Sequence, residues 1–304
     1  MTVPPEEQGI SPGLKARHVG ALVPSRFVAT PYSVHERVVN FALPENLLVS
    51  LVTELREMTA FAIHVPDLDP HMISGNYKLQ RRGNSEILLT KAREKHSVYL
   101  EGATLFRGQP LGGRLSTELG DSLRRAVLAV AGDDGFGSLL GEPRNVFANR
   151  AKSLLGRPQR SRLSGRKEVG TDWRNVTGEL ERLVGLGIGF TPSGDDFIVG
   201  YLLAAEVGGN SSLRGQLLSR IEGRRGTTTP GGTTLLHLAL NGSYPCYLLR
   251  FWWHLRGIGE VAHSGTTARE LRVREAVRDA AAHGASSGVD AVAGFTWFVL
   301  TRAE

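Results

Sequence analysis

The hydrophobic pattern of this chain changes its period once, near residue 116. Before that point, short β-branched or aromatic runs alternate with turn formers. VVNFAL (38–43), FAIHV (61–65), EILLT (86–90) and HSVYL (96–100) read as strands. Pro66-Asp67, Ser74-Gly75-Asn76 and Gly83-Asn84 read as the turns between them. One segment breaks this rhythm: PENLLVSLVTELREM (44–58) sets Leu47, Leu48, Leu51 and Leu55 on one face at helical spacing, which predicts a helix. From Ser116 the spacing becomes helical throughout. LSTELGDSLRRAVLAVAG gives a first amphipathic helix and residues 145–155 a second. Further helices are expected at 173–185, 196–207, 212–223, 232–241, 245–256, 268–282 and 290–302, the last apolar nearly all round and so buried. The pattern therefore predicts an α+β fold: a partly ordered arm over 1–30, a β-rich domain over 31–115, and a larger, mostly helical domain over 116–304.

Composition narrows the class. With 304 residues and 41% hydrophobic content, a substantial core is available and global disorder is excluded. The net charge of +6 permits an anionic substrate or nucleic acid without requiring either. The single cysteine, Cys246, allows no intrachain disulfide and no cysteine-based zinc site, and fits a reducing, cytoplasmic location. MTVPPEEQGISPG at the start carries acids and no apolar core, unlike a secretory signal. AVAGFTWFVL (291–300) falls short of the ~20 residues a bilayer span needs, so a soluble protein with no membrane partner is expected.

The candidate chemistry gathers in GLGIGFTPSGDDFIVG (185–200). Two frames make it a helix start. Thr191 caps with Pro192 at the first helical position, or Ser193 caps with Asp196 three residues on. Either puts Asp195 and Asp196 in the first turn, where the helix dipole favours negative charge. Capping does not explain Gly185, Gly187 and Gly189, which allow close backbone approach or positive φ. Free N–H groups on Gly187, Gly189, Thr191, Ser193 and Gly194 would suit an anion, whereas two aspartates would repel a bare one. The pair would instead suit an Mg²⁺-bridged phosphate, or a ligand with its own N–H donors such as an amide or carbamoyl group. Mg²⁺, on Asp195 and Asp196, is the one cofactor this reading admits.

A second segment, ASSGVDAVAG (285–294), repeats the pattern Ser-Gly-x-Asp-x-x-x-Gly. Ser193 corresponds to Ser287, Gly194 to Gly288, Asp196 to Asp290 and Gly200 to Gly294. This predicts two helix starts that face one another and build a pocket between them. His283, just before the second copy, is a candidate acid/base, whereas His237 and His254 read as core or amphipathic positions. Between the copies, GRRGTTTPGGTTLLHLALNG (223–242) offers Arg224, Arg225, Thr228 and Thr229 to a phosphate or carboxylate, or simply a capped turn. Residues 150–167 hold seven basic side chains and no acid. They read as a solvated loop or as a flap for an anion or a nucleic-acid backbone. No aromatic interleaves them, so base stacking is unsupported and nucleic acid is the less favoured partner.

TPSGDD in its glycine setting, with Ser-Gly-x-Asp about ninety residues later, resembles the AllH-type family. The likeness runs from roughly residue 30 to the end and takes in VHERVVNFAL (34–43) and the Gly/Thr stretch 227–242. The family commonly has Pro where Ile188 stands and Leu where Phe190 stands, and often Trp where Val289 stands. One branch of it is a subunit of oxamate carbamoyltransferase in anaerobic allantoin breakdown, interconverting oxalurate and phosphate with oxamate and carbamoyl phosphate. The resemblance implies a carbamoyltransferase-type subunit that works with partner subunits or as a homo-oligomer. Asp195, Asp196 or Asp290 would accept from the carbamoyl or amide NH₂. Arg224, Arg225, Thr228, Thr229, Ser287 and Gly288 would help hold the anionic groups. The alternative is a non-catalytic small-molecule-binding or scaffold subunit.

Overall fold

The computed structural model describes residues 13–73, 77–92, 94–113, 115–156, 173–210, 212–256, 258 and 266–302. The Ser74-Gly75-Asn76 turn and the basic stretch from residue 157 lie outside these. The chain divides into two compact units, 1–107 and 108–304.

The first unit is a ten-stranded sheet among the described residues. Its strands are β1 (Leu14–Lys15), β2 (His18–Gly20), β3 (Arg26–Val34), β4 (Val38–Ala42), β5 (Leu48–Val52), β6 (Ala62–His64), β7 (Lys78–Arg82), β8 (Glu86–Lys91), β9 (Glu94–Tyr99) and β10 (Thr104–Phe106). Their order is β1-β9-β8-β7-β3-β4-β5-β6-β2-β10. The β1–β9, β5–β6 and β2–β10 pairs are parallel and the rest antiparallel. Val39, Phe41, Val49, Leu51, Ile63, Leu79, Ile87, Leu89 and Val98 form its core.

Two expectations fail here for physical reasons. Residues 14–30 are not wholly an arm: they supply β1, β2 and most of β3. The helix expected over 44–58 is a strand between two single 3₁₀ turns, Pro44–Asn46 and Leu55–Glu57. A short apolar run carries no decisive period. Here Leu48–Val52 is buried on both faces, pairing antiparallel with β4 and parallel with β6. Full burial of both faces erases the alternation that would have marked a strand. Glu45 and Asn46, both at φ 61°, turn the chain into it.

The second unit is helical, as its period predicts. Its described helices are α1 (Gly120–Val130), α2 (Val146–Leu155), α3 (Trp173–Glu181), α4 (Ser193–Val207), α5 (Ser212–Glu222), α6 (Pro230–Leu240), α7 (Cys246–Arg256), α8 (Thr266–Ala281) and α9 (Ser287–Arg302). With the sheet, they make the expected α+β chain, β-rich first and helical after. α4 and α9 are buried almost end to end and form the most extensive contact between helices. Phe197 meets Phe136 and Trp297 edge-on at 6.0 and 6.2 Å, and Phe251 meets Phe295 at 5.1 Å, so aromatic edges fill the space around the pair. No helix among the described residues is long and apolar enough to cross a membrane.

Candidate functional site

α4 and α9 cross backbone to backbone. A Cβ added to Gly200 would lie 1.7 Å from the Ala291 carbonyl oxygen, and one added to Gly294 would lie 1.9 Å from that of Phe197. The relation is reciprocal: each glycine meets the residue just after the other copy's aspartate. The first turns are matched in the same way. A Cβ on Gly194 would strike the Leu183 carbonyl, and one on Gly288 the Ala280 carbonyl, each belonging to the chain that leads into its own helix. The sequence echo is therefore a structural pseudo-two-fold, and glycine is needed at all four positions because neighbouring backbone carbonyls leave no room for a methyl group.

The crossing brings the two helix starts together. The Thr191 hydroxyl donates to Asp196 Oδ2 at 3.0 Å and lies 2.9 Å from Ser287 Oγ. The N-cap of α4 is Pro192, and no side chain caps the helix. Both expected capping frames are thus displaced. Thr191 instead bridges to the other copy, and the Ser193 hydroxyl interacts with Asp290. Gly194 N–H finds the Leu186 carbonyl at 2.8 Å, and Asp195 N–H the Pro192 carbonyl at 2.9 Å. Hence these amides already have acceptors.

Gly185, Gly187 and Gly189 take φ of 72°, 126° and 100°, the left-handed region that side chains resist. The alternation builds a tight turn that exposes Ile188 and Phe190. Asp195 holds this turn from inside. Its Oδ1 accepts from Gly185 N–H at 2.9 Å, and its Oδ2 accepts from the Thr228 hydroxyl. Thr229 caps α6, accepting from Gly232 N–H at 3.0 Å, and donates to the Phe190 carbonyl at 2.6 Å. Thr228 and Thr229 thus fasten the start of α6 to the glycine turn.

All three aspartates are buried. Burial pushes the carboxyls of Asp195 and Asp290 up to about 6. Burial, followed by the charge of Asp290, pushes Asp196 well above the usual carboxylate range, while Thr191 and Ser287 act to lower it. Asp290 Oδ1 accepts from Phe136 N–H. Ser193 and Ser286 temper its shift, but Oδ2, fully buried, has no donor in hydrogen-bonding geometry. A buried acceptor left in this state costs about 1–3 kcal/mol.

The loop that supplies Phe136 was not anticipated from the sequence. Asp133-Asp134-Gly135-Phe136-Gly137 presses on the start of α9. A Cβ on Gly135 would meet Asp290, and one on Gly137 would lie 2.5 Å from Val289 Cγ1. Two glycines flanking an aromatic just after a helix were the available signal. His283 sits beside the second start, but its ring stacks on Tyr247, with centroids 3.9 Å apart and planes at 13°. Arg224 Nε lies 3.4 Å from Glu181 Oε1. The backbone of Arg225 is in the 3₁₀ turn Arg225–Thr227; its side chain lies outside the described set.

Asp195 has both oxygens and Asp196 one oxygen engaged by hydrogen-bond donors, and among the described residues no group of three or more ligating side chains could hold a metal. The raised carboxyls can accept a hydrogen bond when ionised and donate one when protonated.

The residues that build this geometry also carry the family likeness. No curated relative and no solved structure matches the chain. Residues 183–299 match the family model described as oxamate carbamoyltransferase subunit AllH. That span begins just before the glycine turn and closes within the last turn of α9, so it encloses both copies of the paired motif. Over residues 183–299 the chain is thus similar to the AllH family.

Proposed function

We propose that this chain is a cytoplasmic carbamoyltransferase-type subunit that holds a small amide or carboxylate, together with phosphate, at its paired helix starts. The observation that carries the reading is the Thr191–Ser287 contact closing the two starts over Asp196 and Asp290, with Asp290 Oδ2 buried and short of a donor. A carbamoyl or primary amide N–H is a donor of the required kind. In oxalurate–phosphate exchange, a phosphate oxygen attacks the carbamoyl carbon, the C–N bond to oxamate breaks, and the departing nitrogen takes a proton. Carboxyls lifted by burial are suited to carry that proton near neutral pH. The family description, which names a subunit, also supports partner subunits.

Thermal-shift titration with oxamate, carbamoyl phosphate and inorganic phosphate, each with and without Mg²⁺, tests the proposal. Oxamate or carbamoyl phosphate should stabilise the native chain, and Asp290→Asn should abolish that response while the protein stays folded. No response from the native chain, alone or with its partner subunits, would refute it. A second reading has its own support: both oxygens of Asp195 are already engaged, as a scaffold role requires. On that reading the aspartates only tie loops together, and Asp290→Asn leaves ligand responses of the assembled enzyme unchanged.

A further inference from the structure

A cleft of about 310 Å³ opens beside the glycine turn, lined by Arg150, Leu154, Arg182, Leu186 and Arg224. Its residues come from four places in the sequence. Arg150 and Leu154 lie one turn apart on α2, Arg182 follows α3, Leu186 belongs to the glycine turn, and Arg224 follows α5. Three arginines and two leucines thus line one small space. Glu181 neutralises part of this charge: it reaches Arg224 at 3.4 Å and Arg220 at 3.0 Å, which also fixes the Arg224 side chain. No salt bridge engages Arg150 or Arg182 among the described residues, although Glu179 feels the charge of Arg182 at longer range. Like charges gathered at an apolar floor repel one another, and the repulsion is relieved by an anion that takes forked hydrogen bonds from them.

We infer that this cleft binds a small oxyanion, the phosphate or carboxylate end of the substrate, with Arg150 and Arg182 as binding residues beside Arg224. The placement rests on the carbamoyl-transfer reading but names residues outside it. Leu186 lines the cleft, while the preceding Gly185 gives its N–H to Asp195. The same turn therefore separates the cationic cleft from the buried carboxylates. A substrate with an anionic end and an N–H end could span the two. Charge separation of this kind also prevents the aspartates from repelling the anion they would otherwise face.

The test is calorimetric titration of the full chain with inorganic phosphate and, separately, with oxamate, for the native protein and for Arg150→Gln, Arg182→Gln and the double variant. Both arginines are exposed, so circular dichroism should show native melting for all variants without ligand. Each single variant should weaken binding of at least one of the two anions tenfold or more, and the double variant should abolish it. Which anion is lost tells whether phosphate or carboxylate occupies the cleft. Unchanged binding of both anions in the double variant overturns the inference, as does binding only of duplex DNA with a steep salt dependence. If Asp290→Asn loses its oxamate response while the arginine variants bind as the native chain does, the paired helix starts stand and the cleft falls. If the arginine variants lose phosphate while Asp290→Asn changes nothing, the cleft stands without the carbamoyl reading.

Discussion

Gly200→Ala sets two physical effects against each other with opposite signs. Helix propensity alone favours alanine in a helix interior by about 1 kcal/mol. Packing opposes it. The new methyl would sit 1.7 Å from the Ala291 carbonyl oxygen, about half of a normal contact distance, and the obstacle is backbone with no rotamer to escape into. α4 and α9 must therefore move apart by roughly 1.5 Å, loosening contacts along both. Overpacking of this kind typically costs about 1–3 kcal/mol, and the rigid geometry here places it at the upper end. Net of propensity, we expect a loss of about 2 kcal/mol, or a fall of roughly 4–8 °C in Tm for a unit of this size. Urea denaturation followed by far-UV circular dichroism measures it. Gly215→Ala is the internal control. That glycine lies in α5 with no heavy atom within 4 Å of its Cβ position, so propensity should prevail and the variant should gain up to about 1 kcal/mol. Because the crossing is reciprocal, Gly200→Ala with Gly294→Ala should cost less than the sum of the singles. A Gly200→Ala variant as stable as the native chain would refute the packing argument.

Three further outcomes follow from the hydrogen bonds and pKa directions. Asp290 holds its proton more tightly folded than unfolded, so its stabilising share is full below about pH 4 and is lost as pH rises to about 6; a rise from 3.8 to about 6 corresponds to about 3 kcal/mol. Asp290→Asn should therefore gain on the native protein between pH 4 and 7 in pH-resolved melting, and a constant difference across that range would contradict the burial argument. In the first unit, His64 is held below its usual value by burial, then by His18, whose Nδ1 lies 3.0 Å from its own. A lowered histidine contributes stability above its unfolded value that is lost as pH falls, so His18→Asn should flatten the acid-side loss below about pH 6.5, read by melting curves between pH 5 and 8. Thr191→Val removes the bridge from Asp196 to Ser287 and should cost about 1–3 kcal/mol. Thr191→Ser should restore most of that, and a Val variant with native stability in urea would show the bridge to be idle.

The sequence made the helical half legible because its period persists over long segments with clear breaks. The echo at Ser193 and Ser287 likewise foretold that two helix starts would meet. What it hid has separate causes. Leu48–Val52 is buried on both faces, so its strand left no alternation. In Lys78–Arg82, Arg81 points inward, using Nε on the Gly83 carbonyl at 2.8 Å, and so masks a strand as a charged stretch. Thr191 and Ser193 fit a cap by local rules, yet the crossing helices recruit Thr191 for contacts that local rules cannot see. The arginine cleft is invisible for the same reason: Arg150, Arg182 and Arg224 are neighbours only after folding.

The backbone crossing at Gly200 and Gly294 has one more consequence. Two copies of a motif that touch through matching positions behave as an isologous dimer interface carried within one polypeptide. In a true homodimer, one mutation changes both sides at once. Here each side is encoded separately, so a change in one copy meets an unaltered partner. Drift is therefore tolerated only where the opposite copy yields in step. Asymmetry, such as the longer glycine turn before the first copy or the Phe136 loop at the second, has to be built around the crossing because it cannot be built into it.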